Sequence, residues 1–375
     1  MNDPGLAALS ETLFASFSRR DQRLRGRQYL AGLLMAEGRK TVRNIAASLG
    51  DPALEQRLHH FISSSTWDWR PVRRTLATLL SQAGPARAWV VRPMPIPKTG
   101  EHSVGVAEAY DPHLARVFRG QQAFGVWHAS QDWSAPVGWR LFLPTPWAHD
   151  HVKLRRARVP EGVRAETVDG CAVSAATHSA LGWMSTRSPV VVDYCLSEVA
   201  ATVRAFGAVG APVVARVGPT TRFLVGDPSL PGFGAGALDA GRILESVTGL
   251  RRPLEWSPPQ AGALPRSSLV AAVRVAFPGA RDDPGALLFG EWNDPHRPPR
   301  NLWVVDTPTT PARTLLHLTK LPDQVATDLS EVGAGVGLKD YEGRSFQGWH
   351  RHITLASAAH AFTVLRRAHQ PVSPE

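Results

Sequence analysis

The sequence predicts an α/β protein with an all-helical N-terminal unit and a β-rich insertion in its core. Three observations carry this reading. Up to about residue 84, apolar residues recur at helical spacing and no strand-like run occurs. From Trp89 the pattern changes to short β-rich runs, after which strands alternate with helices around PVVVDYC, as in an α/β core. Residues 226–300 are rich in Pro and Gly and hold isolated strand-like pieces. The expected organisation is a helical unit over 1–84, a first part of the core over 85–225, the insertion over 226–300 and the rest of the core over 301–375.

Within the helical unit, Leu24, Tyr29, Leu30, Leu33 and Leu34 mark one apolar face, and Val42, Ile45, Ala46 and Leu49 another. Gly38, Gly50 and Pro52 punctuate them. RKTVRNIAASLGDPALEQRLHHFIS therefore reads as two short helices around a Gly-Asp-Pro break, a spacing shared by helix-turn-helix units and by any small helical bundle. AWVVR, HSVGVAEAY and VFRGQQAFGVWHAS read as strands, the last two joined by an Asp111-Pro112 turn, and WRLFLP (139–144) as a further strand. A helix-like stretch around 170–185 leads into the buried-strand run PVVVDYC (189–195), which carries Asp193. The helix SEVAATVRAFGAVG and the strand PVVARV follow. SSLVAAVRVAF and ALLFGEW are the strand pieces of the insertion, NLWVVDT (301–307) resumes the core, and a helix is expected over about 322–335. ITLASAAHAFTVLRRA closes the chain as an amphipathic helix.

A chain of 375 residues is long enough to bury a sizeable core, and 43% hydrophobic with 20% charged residues excludes global disorder. No apolar run approaches the ~20 residues that span a bilayer. The opening MNDPGLAALSETLF carries acids where a secretion signal carries Lys or Arg, so a cytoplasmic protein is expected. Cys171 and Cys195 match no zinc-ligand spacing and read as plain thiols of a reducing compartment. A net charge of +10 points to an anionic partner, chiefly nucleic acid, although an Arg-rich genome composition gives the same excess.

Three segments carry a resemblance to insertion-sequence DDE transposases. AWVVRPMPIPKTGEHSVGVAEAY is similar to the family stretch in which a strand ends in Asp-Asp-Thr before Pro-Lys-Lys-Gly and His-Ser-Val-Gly-Val. SPVVVDYCLSEVAATVRAFGAVGAPVVARVG resembles the family's Val-Val-Ala-Asp-Ala-Gly-Tyr strand and its following helix. VGLKDYEGRSFQGWHRHITLA resembles, without a gap, the family's Leu-Gly-Leu-Asp-His-Tyr-Glu-Gly-Arg-Ser-Trp-Arg-Gly-Trp-His-Arg-His tail. RRDQRLRGRQYLAGLL, Trp67-Asp68-Trp69 and WRLFLPTPWAHD extend the likeness over most of the chain, thinning between about 226 and 300. The resemblance implies an RNase H-like core and, in an active member, two magnesium ions held by three carboxylates.

The carboxylates do not all survive. The family's first catalytic Asp falls on Arg92 and its acidic neighbour on Pro93, and no carboxylate lies between Arg87 and Lys98. The second Asp is kept as Asp193. Counted back from the tail, the Glu falls on Ala326, with the accompanying Arg and Lys falling on Pro322 and Gly333. A shifted register would offer Asp323, Asp328 or Glu331 at that third position. Exchanging a carboxylate for a guanidinium beside a divalent ion swings the local energy by roughly 16 kcal/mol at an effective dielectric of about 20. Arg92 instead pairs with Asp193 or binds a phosphate. The expectation is a transposase-like DNA-binding pseudoenzyme without cofactor or bound metal, in which Asp193 is a remnant; a residually active transposase is an alternative, and a shifted register would restore the third acid but not the first.

What is left to read is the surface that would hold DNA. Arg39, Lys40 and Arg43 fall on one candidate helix and Arg70, Arg73 and Arg74 on another. Lys98, Arg119, Arg140, Arg344, Trp349, His350, Arg351 and His352 lie in the segments of resemblance, where cations would neutralise phosphates and aromatics would stack on bases. GRSFQGWHRH also fits a packed helix start, with Ser345 as N-cap and Trp349 as core anchor. A repurposed small-molecule enzyme, using Arg92, Asp193, Cys195 and His128, is the second function class. DNA is the expected partner, a homodimer is compatible with it, and no membrane is.

Overall fold

The computed structural model of the chain describes residues 3–111, 116–178, 188–258, 264–279 and 285–369. They form two compact units, one of residues 1–86, 93–184 and 325–375, the other of 87–92 and 185–324. Strand β1 (Ala88–Pro97) and helix α11 (Ala312–Asp328) each contribute to both.

The first unit opens with five helices, α1 (Pro4–Leu13), α2 (Arg20–Met35), α3 (Val42–Ser48), α4 (Leu54–Ser63) and α5 (Trp69–Ala83). Their starts are set by short polar side chains that accept otherwise unpaired amide hydrogens: Asp3 from Gly5, Thr41 from Asn44 and Asp68 from Arg70. Gly50, at φ +72°, releases α3 into the break before α4. Beyond them β3 (Arg116–Ala129) pairs on one side with β2 (Ala107–Asp111) and with the antiparallel β4 (Ser134–Leu141). β3 also pairs β1. The short helices α6 (Thr145–Ala148), α7 (His151–Arg156) and α8 (Val168–Ala176) follow.

The unit is organised by its last element, α12 (Phe346–His369), which packs against α2, α4, α5 and β4. A helix enclosed on all sides is usually hydrocarbon all round. This one instead buries His350, Arg351, His352, Thr354, Ser357 and His360. Each finds a partner. Arg73 of α5, 3% exposed, donates to Thr354 Oγ1 at 2.7 Å, to the Trp139 carbonyl at 3.0 Å and to His350 Nδ1 at 3.1 Å. Arg351 donates to the carbonyls of Trp67 and Ile62, each at 3.1 Å. His352 donates from Nε2 to the Gly337 carbonyl and accepts from the Tyr29 hydroxyl, both at 2.8 Å.

In the second unit β5 (Val190–Val192) runs parallel to β1 and to β6 (Val213–Val217), with α9 (Val199–Gly207) as the connection between β5 and β6. Parallel strands need such a crossover. β12 (Asn301–Val305) pairs β6 antiparallel, and β11 (Ala286–Trp292) and β10 (Arg266–Ala276) continue from it. β7 (Arg222–Val225), β8 (Leu238–Asp239) and β9 (Arg252–Trp256) complete the sheet, and α10 (Ala240–Ser246) packs on β7, β8 and β10. An antiparallel β3–β4 hairpin and two parallel strands after β1 constitute the expected RNase H-like core of a mixed α/β fold.

Several elements differ from their sequence patterns. HSVGVAEAY is a strand only from Ala107, because Gly105 turns at φ +76°. The strand expected at WRLFLP begins earlier, at Ser134, and stops at Leu141. The helix expected over 322–335 starts at Ala312, tolerates Pro322 inside, and passes into a π-helical turn over Leu329–Gly333. The strand pieces of residues 226–300, β10 and β11, join the sheet through β12. The Asp111-Pro112 turn and part of the 170–185 stretch lie outside the described residues.

Removing one member of a buried charged network leaves its partners desolvated, at a cost of about 3 kcal/mol. Arg73→Ala should therefore lower the denaturation free energy by about that amount, against less than ~0.5 kcal/mol for exposed Arg43→Ala, read from urea titrations followed by circular dichroism. A second expectation concerns pH. Burial holds His128, His352 and His360 down at about 4 and His350 well below its ordinary value. The unfolded chain then takes up protons near pH 6.5 that the folded chain refuses, so stability is intact above that pH and falls towards pH 4. Thermal midpoints flat from pH 7.5 to 6.5 and declining below should be seen; a flat profile down to pH 4.5 would contradict it.

Candidate functional site

Pairing register builds the site. Val91, Val192 and Ala215 are aligned across β1, β5 and β6, so the next residues of the three strands are Arg92, Asp193 and Arg216. The ladder between β1 and β5 ends here because Pro93 has no amide hydrogen to donate; the Asp193 amide makes the last bond, to the Val91 carbonyl at 2.9 Å. Asp193 and Arg216 lie at the carboxyl ends of β5 and β6, where open α/β sheets place their sites, and Arg92 lies midway along β1, where its pairing with β5 ends.

Asp193 is fully buried. Its Oδ2 accepts from Arg92 Nη1, and its Oδ1 lies 2.9 Å from Arg216 Nη2. The guanidinium of Arg216 stacks over the Trp303 ring at 4.9 Å from its centre. Arg92 therefore pairs with Asp193, as one of the two sequence readings has it. Arg216 was not anticipated; the only trace of it was a single cation inside the apolar run PVVARV, and nothing but the parallel register sets it beside Asp193. Cys195 is exposed, its thiol pushed up by its surroundings and pulled the other way by Arg216. His128 belongs to the first unit, where it is fully buried and stacks on Trp133 with ring centres 5.0 Å apart.

The sequence matches the family model described as DDE superfamily endonuclease over residues 12–268. The chain belongs to that family. No curated protein matches it. The matched span of this DDE endonuclease relative covers Arg92, Asp193 and Arg216 and stops short of Ala326 and α12.

Magnesium, which the family implies, needs several oxygen ligands carrying negative charge. At this position the donor set is one carboxylate whose two oxygens face guanidinium groups, so the residues present do not fit a divalent cation. The third position offers no substitute through Asp328 or Glu331. Asp328 accepts from the Ser134 amide at 2.7 Å and hydroxyl at 2.6 Å, and Glu331 lies 3.5 Å from Arg367. Asp323 is exposed one turn before half-buried Ala326.

The residues expected to contact DNA divide into two groups. Trp349, His350, Arg351 and His352 are buried and hold α12 in place, and Ser345 caps that helix by accepting from the Gly348 amide at 3.1 Å. The packed-start reading of GRSFQGWHRH is the one the structure bears out. Arg73 is buried as described. Lys40 is 5% exposed, gives its ammonium to the Ala36 carbonyl, and with Arg39 precedes α3 instead of lying on it. Lys98 donates to the Tyr341 carbonyl at 2.6 Å, and Arg140 is doubly bonded to Glu166 at 2.7 and 2.8 Å. Each of these side chains is tied to acceptors within the protein, because tertiary packing supplies bonds of the kind expected from a phosphate. Arg43, Arg70, Arg74 and Arg344 are exposed. Arg39 and Arg119 are exposed but face Glu342 at 3.4 Å and Glu101 at 2.5 Å.

If two guanidinium groups keep cations away from Asp193, millimolar magnesium should leave the thermal midpoint of the protein unchanged. The double variant Arg92→Asp, Arg216→Gln should show a magnesium-dependent rise, as a ligand binding only the folded state requires. A rise in the unaltered protein that disappears on Asp193→Asn would refute the assignment.

Proposed function

We propose that this protein is a DNA-binding relative of the DDE transposases that neither cuts nor joins DNA by two-metal chemistry, acting as a regulator or as an inhibitor of active copies. One observation carries the reading: the retained Asp193 is held between Arg92 and Arg216. Two-metal catalysis needs carboxylates that bridge cations some 4 Å apart. A carboxylate neutralised by two fixed cations offers that chemistry neither free oxygens nor negative potential.

DNA binding is supported by family membership, by the net charge of +10 and by cations left exposed once the buried ones are set aside. Arg43 of α3 and Arg70 and Arg74 of α5 are three of these. A groove alongside α2 and α4, lined by Arg25, Arg57 and an Arg19 that pairs with Asp21, adds cations that the sequence reading did not single out. Such a surface reads phosphate, not sequence.

Binding of a fluorescent duplex, measured by anisotropy across 50 to 300 mM salt in EDTA, tests the proposal. Affinity should fall steeply, with a log–log slope of about −0.9 per phosphate contacted, and Arg57→Ala with Arg70→Ala should flatten it. Incubation with magnesium or manganese should leave supercoiled DNA intact. Nicking or strand transfer that is lost on Asp193→Ala would overturn the proposal, as would salt-independent or absent DNA binding.

A further inference from the structure

We infer that the Arg92–Asp193–Arg216 cluster is an oxyanion site, in which guanidinium groups occupy the place of the family's metal ions and bind a phosphate directly. The inference goes beyond the proposed function and does not need DNA to be the ligand.

Charge is the first support. Two guanidinium groups against one carboxylate leave an excess positive charge in the cluster. The excess reaches solvent: the side chains of Arg92 and Arg216 are 16% and 21% exposed, whereas that of Asp193 is 1% exposed. The cluster therefore turns its cationic side outwards and its anion inwards.

Unused donors are the second. A guanidinium presents a planar fork of N–H groups that suits two oxygens of one phosphate. Among the described residues, Arg216 Nε and the indole Nε1 of Trp303 are buried with no hydrogen-bond acceptor. Both belong to one stack, since Arg216 and Trp303 are cross-strand partners. Trp303 is fully buried. Leaving a buried donor unpaired is unfavourable, so two on one cross-strand pair mark a place that an acceptor would complete. The aromatic face below Arg216 fixes the plane of its fork.

The chemistry recognised is a phosphate oxyanion, whether of a DNA backbone phosphodiester or of free phosphate. Asp193 is the competing anion already in the site. This makes its role opposite in sign to that of a catalytic acid: it should weaken ligand binding, and its removal should strengthen it.

The test uses the full chain in EDTA, with inorganic phosphate titrated by calorimetry and by thermal shift, and a DNA duplex titrated separately. Arg92→Gln should weaken phosphate binding about tenfold and Asp193→Asn should strengthen it about tenfold, since each changes the local charge by one unit at contact range. A misfolded variant could imitate the first result but not the second. Trp303→Phe, which keeps the stack and deletes the indole donor, should weaken binding to a lesser degree. If the duplex shows the same opposite responses, the ligand is backbone phosphate; if inorganic phosphate alone shows them, it is a free phosphate. Binding of both ligands unaffected by all three substitutions, or weakened alike by Arg92→Gln and Asp193→Asn, would overturn the inference. DNA binding that follows salt but ignores these substitutions would leave the proposed function standing without this site.

Discussion

A guanidinium taken out of water must keep its donors occupied, and the first unit is arranged around that constraint at Arg73. Its fork reaches a hydroxyl and an imidazole of α12 and a carbonyl of β4, so one side chain of α5 ties the helical N-terminal region to both the terminal helix and the sheet. The same demand recurs at Arg351 and His352, whose partners are Ile62, Trp67 and Tyr29 of the N-terminal region. Polar bonds of this kind have direction, which hydrocarbon contacts lack. They fix the rotation and depth at which α12 seats among its neighbours.

This accounts for the most specific stretch of the chain. Cations and aromatics in alternation suggest a surface that grips nucleic acid, yet here the pattern is a packing device. Trp349 fills the core, Ser345 starts the helix, and burial holds the histidines as neutral rings. The cations proposed to meet DNA lie elsewhere, on the exposed faces of α3 and α5 and in the groove beside α2 and α4.

The second unit shows the opposite use of the same physics. There β1, β5 and β6 bring two arginines to one aspartate, so the charge they gather is net positive. Fold and chemistry are separable for this reason: strand register sets which positions converge, and the residues at those positions set what converges there.

The sequence by itself determined the class of fold, the helical N-terminal region, the strand that carries Asp193 and the absence of an acid at Arg92. These are local matters of periodicity, capping residues and residue identity. Only the tertiary structure decided that Arg216 completes the cluster, because residues 193 and 216 become neighbours through a parallel register that periodicity does not encode. It alone decided that Lys40, Arg73 and Arg351 face inwards, since a cation in a sequence carries no mark of whether acceptors will surround it. It also paired β11 with β12 in the sheet, and bonded Asp328 to Ser134. Charge is written in the chain, but whether it is spent on the protein's own carbonyls or kept for a ligand depends on what the fold puts next to it.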